Sequence, residues 1–302
     1  MGQDVNMRAA LLPDRGVVKV AGEDVRRFLN GLLTSDVSKV APEVPRYAAL
    51  LTPQGKIIVD CIVVEAPEDE GGGFFLDCPR ARATALVDRL NFYKLRAKLV
   101  IEDVSELLGV MAVWGGSNET GRGLGYPDPR LAALGRRLIL PPHRLEQATR
   151  EFGAELTDAA EYEAHRIALG VPRGNADFAY GDAFPHEADL DQLAGLDFDK
   201  GCYVGQEVVS RIEHRARART RVVPVAYDGP APDAGAPVMA GEKVVGTMGS
   251  SAAGRALASL RIDRVEEALA GGAKLHVAGV PIRLAKPSWA RFPFPGEAQA
   301  RA

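Results

Sequence analysis

The sequence is poor in cysteine and in aromatic residues, and it has no long apolar run. Its three cysteines, Cys61, Cys78 and Cys202, are too few and too far apart for a disulfide framework or a zinc knuckle, and they point to a reducing compartment. No stretch approaches the ~18 apolar residues that span a bilayer. The first residues lack the charged start and apolar core of a secretory signal. The expectation is therefore a cytoplasmic protein without membrane attachment. The five histidines are scattered without metal-ligand spacing, so no metal site is expected. The patterns G-x-x-x-x-G-K-[ST], H-E-x-x-H, G-x-S-x-G and C-x-x-C are all missing, which excludes P-loop nucleotide hydrolysis, zincin chemistry and the familiar serine-hydrolase route. With 37 basic and 40 acidic residues there is no surplus of positive charge to hold nucleic acid.

What remains is an ordinary globular composition, 46% apolar and 25% charged over 302 residues, long enough for two or three domains. Strand-like runs at Gly16–Val20, Tyr47–Leu51, Ile57–Glu65 and Phe74–Cys78 alternate with helical spacing from Glu23, where Val25, Phe28, Leu29 and Leu32 share a face, and over Ala81–Phe92. Thr52-Pro53-Gln54-Gly55-Lys56 has the chemistry of a hairpin turn. Strands and helices interleave without a strict βαβ repeat, which predicts an α+β arrangement. From Gly170 to Asp199 periodicity is lost, and a structureless stretch of ~30 residues inside a compact domain is usually functional. Beyond Arg221, short strands with Gly and Pro punctuation predict a small antiparallel barrel. The reading is one region over residues 8–220, made of two α+β subdomains, and a C-terminal barrel over 221–287.

Four stretches carry candidate chemistry. Lys200-Gly-Cys-Tyr-Val-Gly-Gln-Glu207 packs an ammonium, a thiol, a phenol, an amide and a carboxylate between two glycines. Lys200 stands two residues before Cys202, a placement that favours thiolate; the alternative is a small buried Cys in a tight corner. Asp60 interrupts an apolar strand on the face of Ile58 and Ile62, and if that face is buried the carboxylate needs a partner. Tyr93 and Arg96 pair an aromatic plane with a guanidinium, suited to a flat heterocycle or a carboxylate, or else simply end a helix with positive charge. Arg215, Arg217, Arg219 and Arg221 alternate, so an extended segment would set them on one face, for a polyanion or as a solvated edge.

The Lys200–Glu207 run resembles the K-G-C-Y-x-G-Q-E signature of the YgfZ family, folate-binding proteins related to the glycine-cleavage T-protein. Phe28-Leu-Asn-Gly-Leu-Leu-Thr-Ser-Asp36, Pro53-Gln-Gly-Lys56, Tyr93–Lys98, Arg166–Pro172 and Phe184-Pro-His-Glu-Ala-Asp189 resemble further stretches of that family, so the resemblance runs from about Arg8 to Pro287. It implies two α+β subdomains and an antiparallel barrel in a ring around a channel that holds tetrahydrofolate. It also implies a role with iron–sulfur client or assembly proteins, resting chiefly on Cys202. The residues placed around the folate are Asp60, Tyr93, Arg96, Glu187, Tyr203, Gln206, Glu207 and Arg215; Cys202, Asp60 and Lys200 are those that would carry chemistry. Two departures argue against aminomethyl transfer: Ala168 stands where the T-protein has an acidic residue, and Val59-Asp60 where it has paired aspartates. The alternatives are a folate-dependent aminomethyltransferase or a protein-binding scaffold with a vestigial folate pocket.

Overall fold

A computed structural model describes residues 6–116, 125–215 and 218–296. The chain divides into two compact units that interleave along the sequence: residues 1–162 with 193–206, and residues 163–192 with 207–302. The second unit thus includes a stretch that sequence reading assigned, with everything up to 220, to one region.

The first unit holds β1 (Arg8–Leu12), β2 (Arg15–Ala21), α1 (Val25–Asn30), β3 (Arg46–Leu51), β4 (Ile57–Glu65), β5 (Phe74–Pro79), α2 (Ala83–Lys94), β6 (Val100–Asp103), β7 (Gly109–Trp114), β8 (Gly125–Pro127), β9 (Arg136–Leu140), α3 (Leu145–Glu151) and β10 (Glu155–Leu156). These strands form two five-stranded sheets, ordered β3-β4-β5-β2-β6 and β10-β1-β7-β9-β8. The first sheet is antiparallel throughout, and its β3–β4 hairpin turns at the Pro-Gln-Gly-Lys stretch as expected. One face of it, with Ala48, Leu50, Val59, Cys61, Val63, Leu76 and Cys78, packs with α1 and α2 residues Leu29, Leu86 and Leu90 into a continuous apolar cluster.

The opposite face is buried too, but it is polar. Strand alternation sets Tyr47, Asp60, Ile62 and Asp77 there, with Ile62 paired to both Tyr47 and Asp77. Asp77 accepts from Arg15 Nε (2.6 Å), from Arg137 of β9 (2.7 Å) and from Tyr126 of β8 (3.1 Å). Arg137 also reaches Asp128 (3.0 Å), which Arg130 holds with two further bonds at 2.9 and 2.7 Å. The network therefore ties the two sheets together with paired charges. Burial alone would push the Asp77 carboxyl up, but Arg15 and Arg137 outweigh it and hold it below the ordinary carboxylate range.

The first division between the units falls in helix α4 (Ala159–Ala168), the second after Gln192, and the third at the start of α5 (Gln206–Arg215). In the second unit the chain runs on through β11 (Thr220–Tyr227), β12 (Pro237–Ala240), β13 (Lys243–Ala252), β14 (Arg255–Arg261), α6 (Ile262–Ala270), β15 (Leu275–Val277) and β16 (Val280–Leu284). The six strands close into an antiparallel barrel, β11-β14-β13-β12-β15-β16, as the turn-rich spacing predicts. Within this unit residues 169–192 continue after α4 without a named strand or helix, held by polar anchors instead of a ladder. Asp177, for example, accepts from Arg166 (2.9 Å), from the Arg173 amide (2.8 Å) and from Ser250 Oγ (2.6 Å).

The arginine stripe is corrected. Arg215 ends α5 and Arg221 lies in β11, so the four positions do not share one extended segment. Arg221 is buried on Asp189 (2.8 Å) and Asp191 (2.9 and 2.8 Å), and only Arg219 of the described members is exposed. Arg217 and the Arg215 side chain lie outside the described residues.

Candidate functional site

The signature segment is built as a joint. Lys200 is 8% exposed, and its Nζ donates to the carbonyls of Asn30 (2.7 Å), Leu33 (2.5 Å) and Ser35 (3.0 Å). These carbonyls end α1 and follow it, where a helix leaves acceptors unsatisfied. All three ammonium donors are thereby engaged with residues 30–35, so the expectation that Lys200 activates the Cys202 sulfur is corrected: its bonds serve the backbone of a segment 165 residues away. Burial pushes the ammonium down to about 8, with Asp36 and Asp197 pulling the other way.

The early Thr34-Ser35-Asp36 stretch completes the joint. Thr34 Oγ1 donates to the Gly195 carbonyl (2.6 Å) and accepts the Ala49 amide (2.8 Å). Asp197 pairs with Lys39 (2.8 Å), and its amide bonds the Thr34 carbonyl (3.1 Å). Tyr203 is buried with its ring 5.0 Å from Lys200 Nζ, and burial pushes its phenol up to about 12. Gly205 has φ +83° and lies so close to the β3–β4 turn that a Cβ would stand 2.6 Å from the Thr52 carbonyl oxygen. Only glycine fits both conditions. Two motifs far apart in sequence are thus one piece of structure.

Between these anchors Gly201 and Cys202 are exposed. Cys61 and Cys78 are buried in the apolar cluster, where burial pushes the Cys61 thiol up and the Cys78 thiol up to about 12. A thiol pushed up stays in the unreactive neutral form, and burial also keeps reagents away from it. In native protein at neutral pH, iodoacetamide should therefore label exposed Cys202 at least about tenfold faster than buried Cys78 or Cys61. Peptide mapping by mass spectrometry reads the three sites separately, and equal rates would refute the assignment.

The remaining candidates are dispersed. Asp60 is 5% exposed and accepts from Tyr47 Oη (3.0 Å) beside the inter-sheet network. Tyr93 packs against the apolar cluster on the other side of that sheet, next to Phe92, and Arg96 is exposed. Asp60 and Tyr93 therefore do not line one cavity, contrary to expectation. Glu187, in the second unit, accepts the Phe184 amide (2.8 Å) and closes a turn. Gln206 opens α5, and exposed Glu207 pairs with Arg211 one turn on (2.7 Å). Ala168 is exposed at the end of α4. Sequence reading missed Thr34 and Ser35 as anchors; their placement directly after the α1 helix was the available signal.

The comparisons with known proteins fall on this frame. Residues 14–120 match the family described as the GCVT N-terminal domain, and residues 219–292 the CAF17 C-terminal beta-barrel domain. A crystal structure of the glycine cleavage system aminomethyltransferase T from Bartonella henselae has the same fold, with a TM-score of 0.74 at 15% identity over 96% of this chain and 88% of that one. A GCVT-type region followed by a CAF17-type barrel defines the class. Within it, the chain belongs to the IBA57 family of iron–sulfur cluster assembly factors: it is 33% identical to "Iron-sulfur cluster assembly factor IBA57, mitochondrial" of Mus musculus, over 81% of this chain and 72% of that protein. The homologue of Mycosarcoma maydis is 32% identical over 73% of this chain, which spans 57% of that longer protein.

Two expectations are adjusted by this result. The relatives carry the IBA57 name where the signature had suggested the related YgfZ family. The cytoplasmic assignment is corrected, because these relatives are named as mitochondrial proteins. Scarce cysteines mark a reducing compartment without saying which one. Among the described residues, no helix is long and apolar enough to cross a membrane.

Proposed function

We propose that this chain acts in iron–sulfur cluster assembly through the Cys202 thiol, together with client or assembly proteins that supply the other ligands, and that it binds tetrahydrofolate as a cofactor. The observation that carries the first part is the contrast within one motif: Lys200, Tyr203 and Gly205 are built into the joint, while Cys202 stands exposed between them. An exposed thiol there can meet a second protein. One Cys cannot supply the three or four ligands that a stable cluster needs, so any cluster held here is shared. The named function of the relatives agrees with this reading.

The folate part is supported by the GCVT-type region and by the aminomethyltransferase fold. Aminomethyl transfer itself is disfavoured. Asp60, the acid it would use, is buried and already accepts from Tyr47, and Ala168 offers no carboxylate.

Anaerobic addition of ferric iron and sulfide with a small dithiol, followed by gel filtration to remove iron not held by the protein, tests the first part. The wild type should gain a visible thiolate-to-iron absorption, and Cys202→Ser should not. Absorption of equal strength in both proteins would overturn the proposal. Calorimetric titration with tetrahydrofolate tests the cofactor, and absence of saturable binding would remove it.

A further inference from the structure

We propose that His186, Asp191 and Glu213 form a binding site for one borderline divalent cation of the Zn2+ or Fe2+ type. The site lies within the second unit, where the irregular stretch ending at Gln192 meets the last turns of α5. One ligand atom from each of the three residues lies within 4.8 Å of the others. His186 is 2% exposed, and its Nε2 stands 3.0 Å from Glu213 Oε2. Two ligands at about 2.0–2.1 Å from one ion are roughly 2.8–3.4 Å apart at octahedral to tetrahedral angles. The imidazole and the Glu213 carboxylate thus already stand at the bite of a single ion, which would take the place of the proton between them.

Asp191 supplies the third oxygen. Its Oδ2 accepts from Arg221 (2.8 Å) and Gln192 (2.6 Å). Its Oδ1 accepts from Arg221 at 2.9 Å, and a carboxylate oxygen has a second lone pair to give. A side-chain rotation of an ångström or two closes it on the ion. Arg221 is held in turn by the His186 carbonyl (2.9 Å), by Asp189 and over the Phe292 ring, so it fixes Asp191 as an outer-shell partner fixes a ligating carboxylate.

Charge favours a cation. Among the described residues, Asp189 and Asp191 share the guanidinium of Arg221, while Glu213 faces His186, which is neutral when it ligates. Asp191 and Glu213 against Arg221 leave one negative charge over. The adjoining cavity of about 540 Å³ gives access, and the charges elsewhere on its wall cancel: Arg219 and Arg291 against Asp263 and Glu266. The nitrogen–oxygen donor set suits zinc or ferrous iron better than thiophilic ions. Arg221 nearby weakens the attraction, so the site is expected to bind at micromolar rather than nanomolar strength. A bound ion would pin α5 to a stretch that has no ladder of its own.

The test uses the untagged full chain stripped with chelator, with Zn2+ read by calorimetry and Co2+ by visible absorption. One equivalent should bind, and Zn2+ should raise the unfolding temperature. Outer-shell changes at metal sites typically weaken binding about 10–100-fold, so His186→Asn and Glu213→Gln, which remove ligands, should each weaken it at least tenfold. Glu213 is 39% exposed, so its variant keeps the fold even if the His186 variant does not. Cys202→Ser should bind as the wild type does. No saturable binding, binding indifferent to Glu213→Gln, or binding lost in Cys202→Ser would each overturn the site.

Discussion

Asp77→Asn is expected to destabilise the first unit by roughly 3–5 kcal/mol, the usual loss when one partner of a buried ion-pair cluster is removed. Asp77 is fully buried and accepts from Arg15, Arg137 and Tyr126. An amide of the same shape leaves two guanidiniums facing one charge fewer where water cannot replace it. Denaturant unfolding measures the loss, and a change under 1 kcal/mol would contradict the role given to the network. The pH dependence has a definite sign. Because the folded carboxyl is held below its ordinary value, its stabilisation is complete above about pH 4 and is lost as pH falls through the folded value. Wild type should therefore lose stability on acidification more steeply than Asp77→Asn.

Lys200→Met is the second large effect. The apolar stem is conserved, but the carbonyls of Asn30, Leu33 and Ser35 lose a charged donor. Unsatisfied buried acceptors cost about 1–3 kcal/mol each, partly offset because the ammonium no longer needs to be desolvated, so a net loss of roughly 3 kcal/mol is expected. The signature segment should loosen with it. Hydrogen exchange at residues 195–205 should rise in the variant while the barrel strands β11–β16 keep their protection. Unchanged exchange in that segment would show that Lys200 does not hold it.

The difference between Lys200 and Cys202 shows what could be read from sequence. The eight-residue run identified the segment, but not which of its members are structural. Lys200 looks like an activating neighbour when only its own stretch is visible, because its three acceptors come from residues 30–35. Asp60 was legible as a strand-borne acid with Ile62 beside it. That its face is covered by a second sheet depends on Arg137 and Tyr126, which no local pattern connects to it. The barrel strands were legible because turns punctuate them, whereas α6 escaped notice between two strands although Ile262, Val265 and Leu269 are spaced for a helix. The arginine alternation misled because α5 continues to Arg215 and β11 starts only at Thr220, so the four positions do not lie on one strand.

The central claim is that a rigid joint presents one thiol for iron–sulfur work. The most direct measurement is the activity of a [4Fe–4S] enzyme in cells that lack the endogenous protein, complemented with wild type or with Cys202→Ser at matched expression. The swap is nearly isosteric at an exposed position, so the variant should fold and accumulate normally. The account predicts that the wild type restores the enzyme and Cys202→Ser leaves it at the level of the uncomplemented cells. Full restoration by Cys202→Ser would contradict it.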